Sequence, residues 1–261
     1  MAKHKKYNKK YKKKKSESAS KSILTLVILG VCWIVLNVIG NYISLIIIDD
    51  TPEEVSTVIV EVNSEAILLA SKEKGIEANV YIQVNYGDQA EIGSGVIFLV
   101  DESYYYALTN AHVLDANGNV TDSKIVSTSD GVNSDFEVIA LDEERDLAII
   151  KFNSLARDDI SPINLGSNII EIDELVIAVG NPYGNTGAVS YGSILRTTYL
   201  QELEITRTVI EHSAVLSNGS SGGALLDIYG NLIGLNTWSL NDKYYAVPLS
   251  VINTFLEENI I

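Results

Sequence analysis

Hydrophobic and polar positions follow three successive patterns along this chain. Residues 22–48 contain no charged side chain and are mostly apolar. Residues 49–77 have a helical spacing of apolar positions, and from about residue 78 the apolar positions fall into short runs rich in β-branched and aromatic side chains. The patterns predict a long apolar helix, an amphipathic helix and a β-rich domain, in that order.

The apolar segment 22–48 is long enough, at about 1.5 Å per residue, to cross a hydrocarbon core of about 30 Å. A signal peptide would have an apolar core of about 15 residues at most, followed by an A-x-A-like cleavage site. The segment meets neither condition. We therefore predict an uncleaved transmembrane helix over 22–48.

The segment 49–77 is predicted to be a helical linker. Thr51 is placed to cap the helix, Pro52 suits its first position, and Gly75 predicts its end. Apolar side chains recur at alternating intervals of four and three residues, at Val55, Ile59, Val62, Ala66 and Leu69. Such a stripe would also suit a coiled coil between chains, but it spans only about two heptads, so we favour a helix docked on its own domain.

Twelve candidate strands, from "NVYIQVNY" to "KYYAVP", follow between residues 79 and 248 and are separated by turns rich in Gly, Asn, Asp and Ser. A helical pattern returns only near the end, in "PLSVINTFLEEN". Short strands at this spacing are typical of antiparallel barrels or of a sandwich. We predict a mainly β domain over 78–261 with a C-terminal helix.

Charge is distributed very unevenly. Residues 1–21 carry ten lysines and one glutamate, whereas residues 22–261 carry nine basic against 33 acidic side chains. Lysines before the apolar segment and acidic residues after it predict a single-pass protein in the cell membrane, with a basic cytoplasmic tail (1–21) and everything from Asp49 onward outside. A lysine run also suits a nucleic-acid arm, but the acidic outer domain argues against nucleic acid as a partner.

The stretch "SNGSSGGALLD", residues 217–227, contains the candidate nucleophile. Its "GSSGG" fits the G-x-S-x-G pattern of α/β-hydrolases with Ser221 central, but that fold requires a histidine after the serine. The histidines are His4, His112 and His212, all of which precede Ser221. The order that remains is His112 as base, Asp146 as the acid that holds the imidazole, and Ser221 as nucleophile.

Six blocks in order resemble the HtrA/Deg family of trypsin-like, chymotrypsin-fold serine proteases. They cover roughly residues 78–255 and read "GSGVIF", "LTNAHVL", "RDLAIIKF", "AVGNPYG", "NGSSGGALLDIYGNLIGLNT" and "YAVPLS". The resemblance implies a double six-stranded antiparallel β-barrel, with His112 and Asp146 from the first barrel and Ser221 from the second. The resemblance also implies that Ser221 rather than Ser220 is the nucleophile, since the serine of the family directly precedes a Gly-Gly pair.

The same resemblance implies further site residues. Backbone N–H groups of Gly219 and Ser221 would form the oxyanion hole. Val215, Leu216 and Asn236 would line the substrate pocket. No carboxylate lies at the pocket floor, so we expect a small or medium aliphatic residue before the cleaved bond.

The resemblance implies hydrolysis of peptide bonds in misfolded or regulatory envelope proteins, with protein or peptide substrates as partners and assembly as a homotrimer. We expect the protein to lack the peptide-binding PDZ domain that often follows the barrels in this family. The alternative is a catalytically silent protease fold that acts as a binding or scaffold protein.

We expect no metal or organic cofactor, because the three histidines are far apart and the single cysteine, Cys32, lies in the predicted membrane segment. We interpret His212 as a surface or strand-end residue.

Overall fold

The computed structural model describes residues 29, 31, 33, 52–86, 88–114, 123–154, 160–202 and 205–260. The predicted basic tail (1–21) lies outside these residues, and so does the predicted transmembrane segment (22–48) apart from three positions. Among the residues described, no helix combines the length and the apolar composition needed to cross a bilayer. The chain divides into two units with their boundary between Glu61 and Val62, and the second unit contains the β-rich part of the chain.

Helix α1 (Pro52–Ala78) leads into the β-rich domain. The predicted end at Gly75 is wrong, because the helix continues to Ala78. Gly75 instead allows close packing: a Cβ there would lie 2.7 Å from Leu226 Cδ1 and 2.8 Å from Val179 Cγ2. The glycine is thus explained by tertiary contact rather than by helix termination.

The last part of α1 packs on its own domain, as we favoured. Ser71 Oγ donates a 2.6 Å hydrogen bond to the carbonyl of Ile228, and Ile76 packs against the hydrophobic core. The predicted apolar stripe does not face the domain at the two of its positions whose burial the structure describes: Ala66 is exposed, and Leu69 is 53% exposed. At these positions the prediction is wrong. The docked face lies to one side of that stripe.

Six strands form a closed barrel in the order β1-β2-β3-β6-β5-β4, with every pair antiparallel. Alternate residues of β1, such as Val80, Ile82 and Val84, are fully buried, as expected for strands with one face in a barrel core. A short helix, α2 (Ala111–Leu114), follows β3. The strands are β1 (Asn79–Tyr86), β2 (Gln89–Val100), β3 (Tyr104–Thr109), β4 (Ser123–Ser127), β5 (Asn133–Asp142) and β6 (Leu147–Asn153).

A second sheet has the order β11-β8-β9-β10-β13-β12-β7, and the additional pairing of β11 with β12 closes six of its strands into a ring. The seventh, β7, was not predicted; it has two exposed residues and pairs in parallel with β12. The strands of the second sheet are β7 (Asn164–Leu165), β8 (Leu175–Gly180), β9 (Ala188–Glu202), β10 (Ile205–His212), β11 (Ala224–Leu226), β12 (Asn231–Leu240) and β13 (Lys243–Pro248). The predicted C-terminal helix follows as α3 (Leu249–Asn259).

One hydrophobic cluster joins the two sheets. It contains side chains of the first barrel such as Val96 and Leu108, side chains of the second sheet such as Ile177 and Leu235, and Phe255 of α3. The predicted mainly β fold with a closed six-stranded barrel is therefore confirmed, and the sandwich alternative is wrong. The candidate site lies where residues of both sheets meet.

Candidate active site

His112 and Asp146 meet at one rim of the first barrel because of strand register. Thr109, the last residue of β3, pairs with Ala148 near the start of β6. The residues after β3 and those before β6 therefore emerge side by side. His112 lies in α2 directly after β3, and Asp146 immediately precedes β6.

The carboxylate of Asp146 holds the imidazole of His112. His112 Nδ1 lies 2.9 Å from Asp146 Oδ1 and 3.0 Å from Oδ2, and the backbone N–H of His112 donates to Oδ1 at 3.1 Å. The His112 side chain is 38% exposed, whereas that of Asp146 is 4% exposed. A buried acid with a half-open imidazole is the arrangement that fixes one histidine tautomer and leaves Nε2 available.

Asp146 adopts a left-handed backbone conformation, with φ of +57°. This region is unfavourable for a residue other than glycine and persists only where surrounding contacts enforce it. One such contact is the hydrogen bond from Asn110 Nδ2 to the Asp146 carbonyl, at 2.9 Å. The carboxylate thus reaches the histidine at the cost of local backbone strain.

Thr237, in β12 of the second sheet, connects Asp146 with Ser221. Its Oγ1 donates to Asp146 Oδ2 at 2.7 Å, and its carbonyl accepts a 2.8 Å hydrogen bond from Ser221 Oγ. The β12–β13 register shifts between Asn236 and Ser239, so Thr237 lies at an irregularity that lets a strand residue turn towards a site. Among the described residues, the Ser221 hydroxyl has this carbonyl as its hydrogen-bond acceptor rather than His112.

The structure therefore brings His112, Asp146 and Ser221 to one place, through Thr237. Sequence reasoning missed Thr237, although it lies in the quoted block "GLNT". Thr237 lies inside β12 and is buried, and a buried hydroxyl needs a polar partner; the sequence signal was a hydroxyl within a strand that contains an apolar run.

Donors from outside the loop 217–223, which contains Ser221, hold its carbonyl groups. Ser94 Oγ donates to the Gly219 carbonyl at 2.7 Å, and Ser94 N–H donates to the Ser221 carbonyl at 2.8 Å. The Tyr183 N–H donates to the Asn218 carbonyl at 2.7 Å. In a planar trans peptide the C=O and the following N–H point in opposite directions. The Gly219 N–H therefore points away from Tyr183.

Gly219 is required by its own geometry. Its φ is +96°, and a Cβ would lie 2.5 Å from the Asn181 carbonyl oxygen. A residue with a side chain would be strained at this φ, and its Cβ would clash with the Asn181 carbonyl oxygen. Sequence reasoning selected Gly219 for its N–H group but missed Ser94 and Asn181, which fix the backbone around it.

Two of the three residues expected in the substrate pocket line one cavity. Val215 and Leu216 border a cavity of about 180 Å³ together with β8 and β9 residues such as Ala178 and Ser190. Asn236 is not brought to that cavity: it is fully buried, and its Nδ2 donates to the Ala224 carbonyl at 2.8 Å.

His212 ends β10, as the strand-end interpretation has it, but it is fully buried rather than at the surface. Its ring lies 6.3 Å from that of Tyr244. Burial lowers the pKa of His212 to about 4. Within the described part of the chain, no group of three or more His, Cys, Asp or Glu side chains is placed to hold a metal ion.

Comparison with known proteins adds independent information. Residues 93–235 match the family model of the trypsin-like peptidase domain. The serine endoprotease DegS of Escherichia coli is 34% identical over 197 residues, which are 69% of this chain and 53% of DegS. A probable periplasmic serine endoprotease, DegP-like, of Buchnera aphidicola is 34% identical over 171 residues, which are 62% of this chain and 35% of that protein.

Solved structures give the same result. A serine endoprotease from Yersinia pestis superimposes with a TM-score of 0.61 and 28% identity, over 74% of this chain and 66% of that one. The HtrA-type protease AlgW with a tripeptide gives a TM-score of 0.63 and 28% identity, over 73% of this chain and 62% of that one. The chain spans about a third of the DegP-like relative and about half of DegS.

Proposed function

Since the chain belongs to the trypsin-like peptidase family, we propose that it is a membrane-anchored serine endopeptidase of HtrA/Deg type that acts outside the cytoplasm. Family membership confirms the predicted enzyme class, a serine peptidase. The silent scaffold alternative is not favoured, because the relatives named above are called serine endoproteases.

The observation that carries the proposal is the hydrogen-bonded pair of the buried Asp146 and the half-exposed His112, whose Oδ1 and Nδ1 are 2.9 Å apart, together with Thr237, which contacts both Asp146 and the Ser221 hydroxyl. In the proposed reaction, the Ser221 hydroxyl leaves the Thr237 carbonyl and donates to His112 Nε2. His112 takes the proton as Ser221 Oγ attacks the peptide carbonyl, and later returns a proton to the leaving amine. Asp146 stabilises the imidazolium that forms between these steps.

The negative oxygen of the tetrahedral intermediate would be bound by the N–H groups of Gly219 and Ser221. Support comes from the carbonyls of Asn218, Gly219 and Ser221, which are all held by donors behind the loop. This keeps the loop in one orientation before substrate binds. A pre-oriented donor of this kind contributes about 3 kcal/mol in a comparable protease.

Substrates are proposed to be misfolded or regulatory proteins of the envelope, cleaved after small or medium aliphatic residues. Support for the location comes from the name of the Buchnera aphidicola relative, a probable periplasmic serine endoprotease, together with the apolar segment 22–48. Support for the preference comes from the apolar Val215 and Leu216 beside the nucleophile loop. We also propose the homotrimer, which size-exclusion chromatography with light scattering would test.

Cleavage of casein by the full-length chain tests the activity. We expect cleavage by the wild type and none by Ser221→Ala. The matched control is Ser220→Ala, which changes the neighbouring serine and should still cleave casein. Cleavage that survives Ser221→Ala would overturn the assignment of the nucleophile. A folded wild type that cleaves nothing would instead favour the scaffold alternative.

Protease accessibility in intact cells tests the topology: the domain after residue 49 should be digested from outside only.

A further inference from the structure

Arg207, in β10 of the second sheet, contacts the loop of the first barrel that leads to Asp146. Its Nε donates to the Glu144 carbonyl at 2.7 Å, and its Nη2 donates to the Glu143 carbonyl at 2.6 Å. A guanidinium is planar and presents its donors in a rigid fork. The two carbonyls, two and three residues before Asp146, are therefore held in a fixed relation to β10.

The same guanidinium lies against the side chain that covers His112. Arg207 Cζ is 4.8 Å from the centroid of the Trp238 ring. The Trp238 ring stacks on the His112 imidazole, with centroids 6.1 Å apart and 23° between the planes. Arg207 thus contacts both the loop that carries the acid and the indole that packs on the base.

The acid depends on such support. Asp146 has a left-handed φ of +57°, and its carboxylate must serve His112 on one side and Thr237 on the other. A small shift of this loop would lengthen both hydrogen bonds. On its outer side the loop is tied to α3, where Arg145 Nη2 donates to Glu258 Oε1 at 3.0 Å. Besides Thr237, which contacts the Asp146 carboxylate itself, Arg207 connects the backbone of this loop to the second sheet.

We propose that Arg207 is a positioning residue of the proposed protease: it holds the loop before Asp146 and the Trp238 ring, and thereby sets the relation of Asp146 to His112. This inference rests on the proposed function. Its partners are two carbonyl oxygens and an aromatic face, so the shape of the guanidinium matters as well as its charge. Lysine keeps the charge but has a single nitrogen and cannot reproduce the fork.

The test compares Arg207→Lys with a matched variant, Arg196→Lys. Arg196 lies in the neighbouring strand β9, and its Nε and Nη2 both contact Glu211 Oε2, at 2.9 and 2.8 Å, rather than the Asp146 loop. Both changes remove a guanidinium from the second sheet. We expect Arg207→Lys to lower kcat and the rate of fluorophosphonate labelling by about 10-fold or more, with KM changed by less than about twofold, and Arg196→Lys to change neither.

Two further measurements, thermal unfolding and Trp238 fluorescence, distinguish the proposed positioning role of Arg207 from a purely structural one. Thermal unfolding of each variant shows whether it is folded at the assay temperature, and kcat is normalised to titrated active sites. In a Trp33→Phe background Trp238 is the single tryptophan of the chain, so its fluorescence emission should shift with Arg207→Lys and not with Arg196→Lys. If Arg207→Lys does not fold, Arg207→Gln replaces it, and the same loss is expected because glutamine reaches only one carbonyl.

The outcomes are distinct. Loss of kcat and labelling in Arg207→Lys, with wild-type values in Arg196→Lys, supports the inference. Equal kcat in the two folded variants overturns it while leaving the proposed function intact. If the wild type itself neither labels nor cleaves, the proposed function fails, and this inference fails with it.

Discussion

The buried imidazole of His212 makes the stability of the domain depend on pH. The side chain is fully buried, and neither ring nitrogen has a hydrogen-bond partner among the described residues. Burial lowers the pKa of His212 from 6.5 to about 4. Because the pKa is lower in the folded state, the unfolded state binds the proton first as the pH falls. Stability is therefore full above about pH 6.5 and is lost progressively down to about pH 4.

The size of the effect follows from the shift. One pKa unit corresponds to about 1.4 kcal/mol, so the loss of unfolding free energy between pH 7 and pH 5 is about 2 kcal/mol. His212→Phe removes this titration and keeps a planar ring beside Tyr244. The charged groups nearest along the strands, Glu211 with its partners Arg196 and Lys243, are unchanged in the variant. The difference between the two proteins in the pH dependence of the unfolding free energy therefore reports the titration of the His212 imidazole.

Urea unfolding of both full-length proteins at pH 7 and pH 5, followed by tryptophan fluorescence, measures this difference. We expect the wild type to lose about 2 kcal/mol more unfolding free energy than His212→Phe over this range. The comparison of two pH values cancels any constant effect of the substitution on packing. An equal loss in both proteins would refute the reasoning.

Two other positions give equally direct tests. Thr237→Val removes the hydroxyl that donates to Asp146 Oδ2 and should lower both activity and stability, the latter by about 1 to 3 kcal/mol because a buried carboxylate oxygen loses one of its two hydrogen-bond donors among the described residues and keeps only His112 Nδ1; casein cleavage that stays at the wild-type level would contradict this. Gly75→Ala should lower the urea midpoint, by about 1 to 3 kcal/mol in unfolding free energy, because the new Cβ would lie within 2.8 Å of both Leu226 and Val179; an unchanged midpoint would show that the helix shifts without cost.

The strands and the order of the candidate catalytic residues could be predicted from the sequence, because both are local signals. Alternating burial in β1 follows from side chains pointing to opposite faces of a strand. The turn chemistry around Ser221 is likewise readable over a few residues. Gly75 shows the limit of such reasoning, since a local helix-end signal was in fact a response to Leu226 and Val179.

Contacts between distant parts of the chain could not be predicted in this way. Thr237 reaches Asp146 across 91 residues, and Ser94 reaches Gly219 across 125. Neither residue differs in type from many others in the β-rich domain. Their roles depend on how the two sheets meet, which no periodicity of a single strand encodes. The two-residue strand β7 was missed for the same reason, because its pairing with β12 is its only distinguishing feature.

The most direct test of the central claim is to locate the covalent adduct of a fluorophosphonate on the full-length protein by mass spectrometry. A serine activated by the His112–Asp146 pair should react with the probe, whereas an ordinary serine should not. We expect a single adduct on Ser221 that is absent from His112→Ala. An adduct on Ser217 or Ser220, or a folded protein with none, would contradict it.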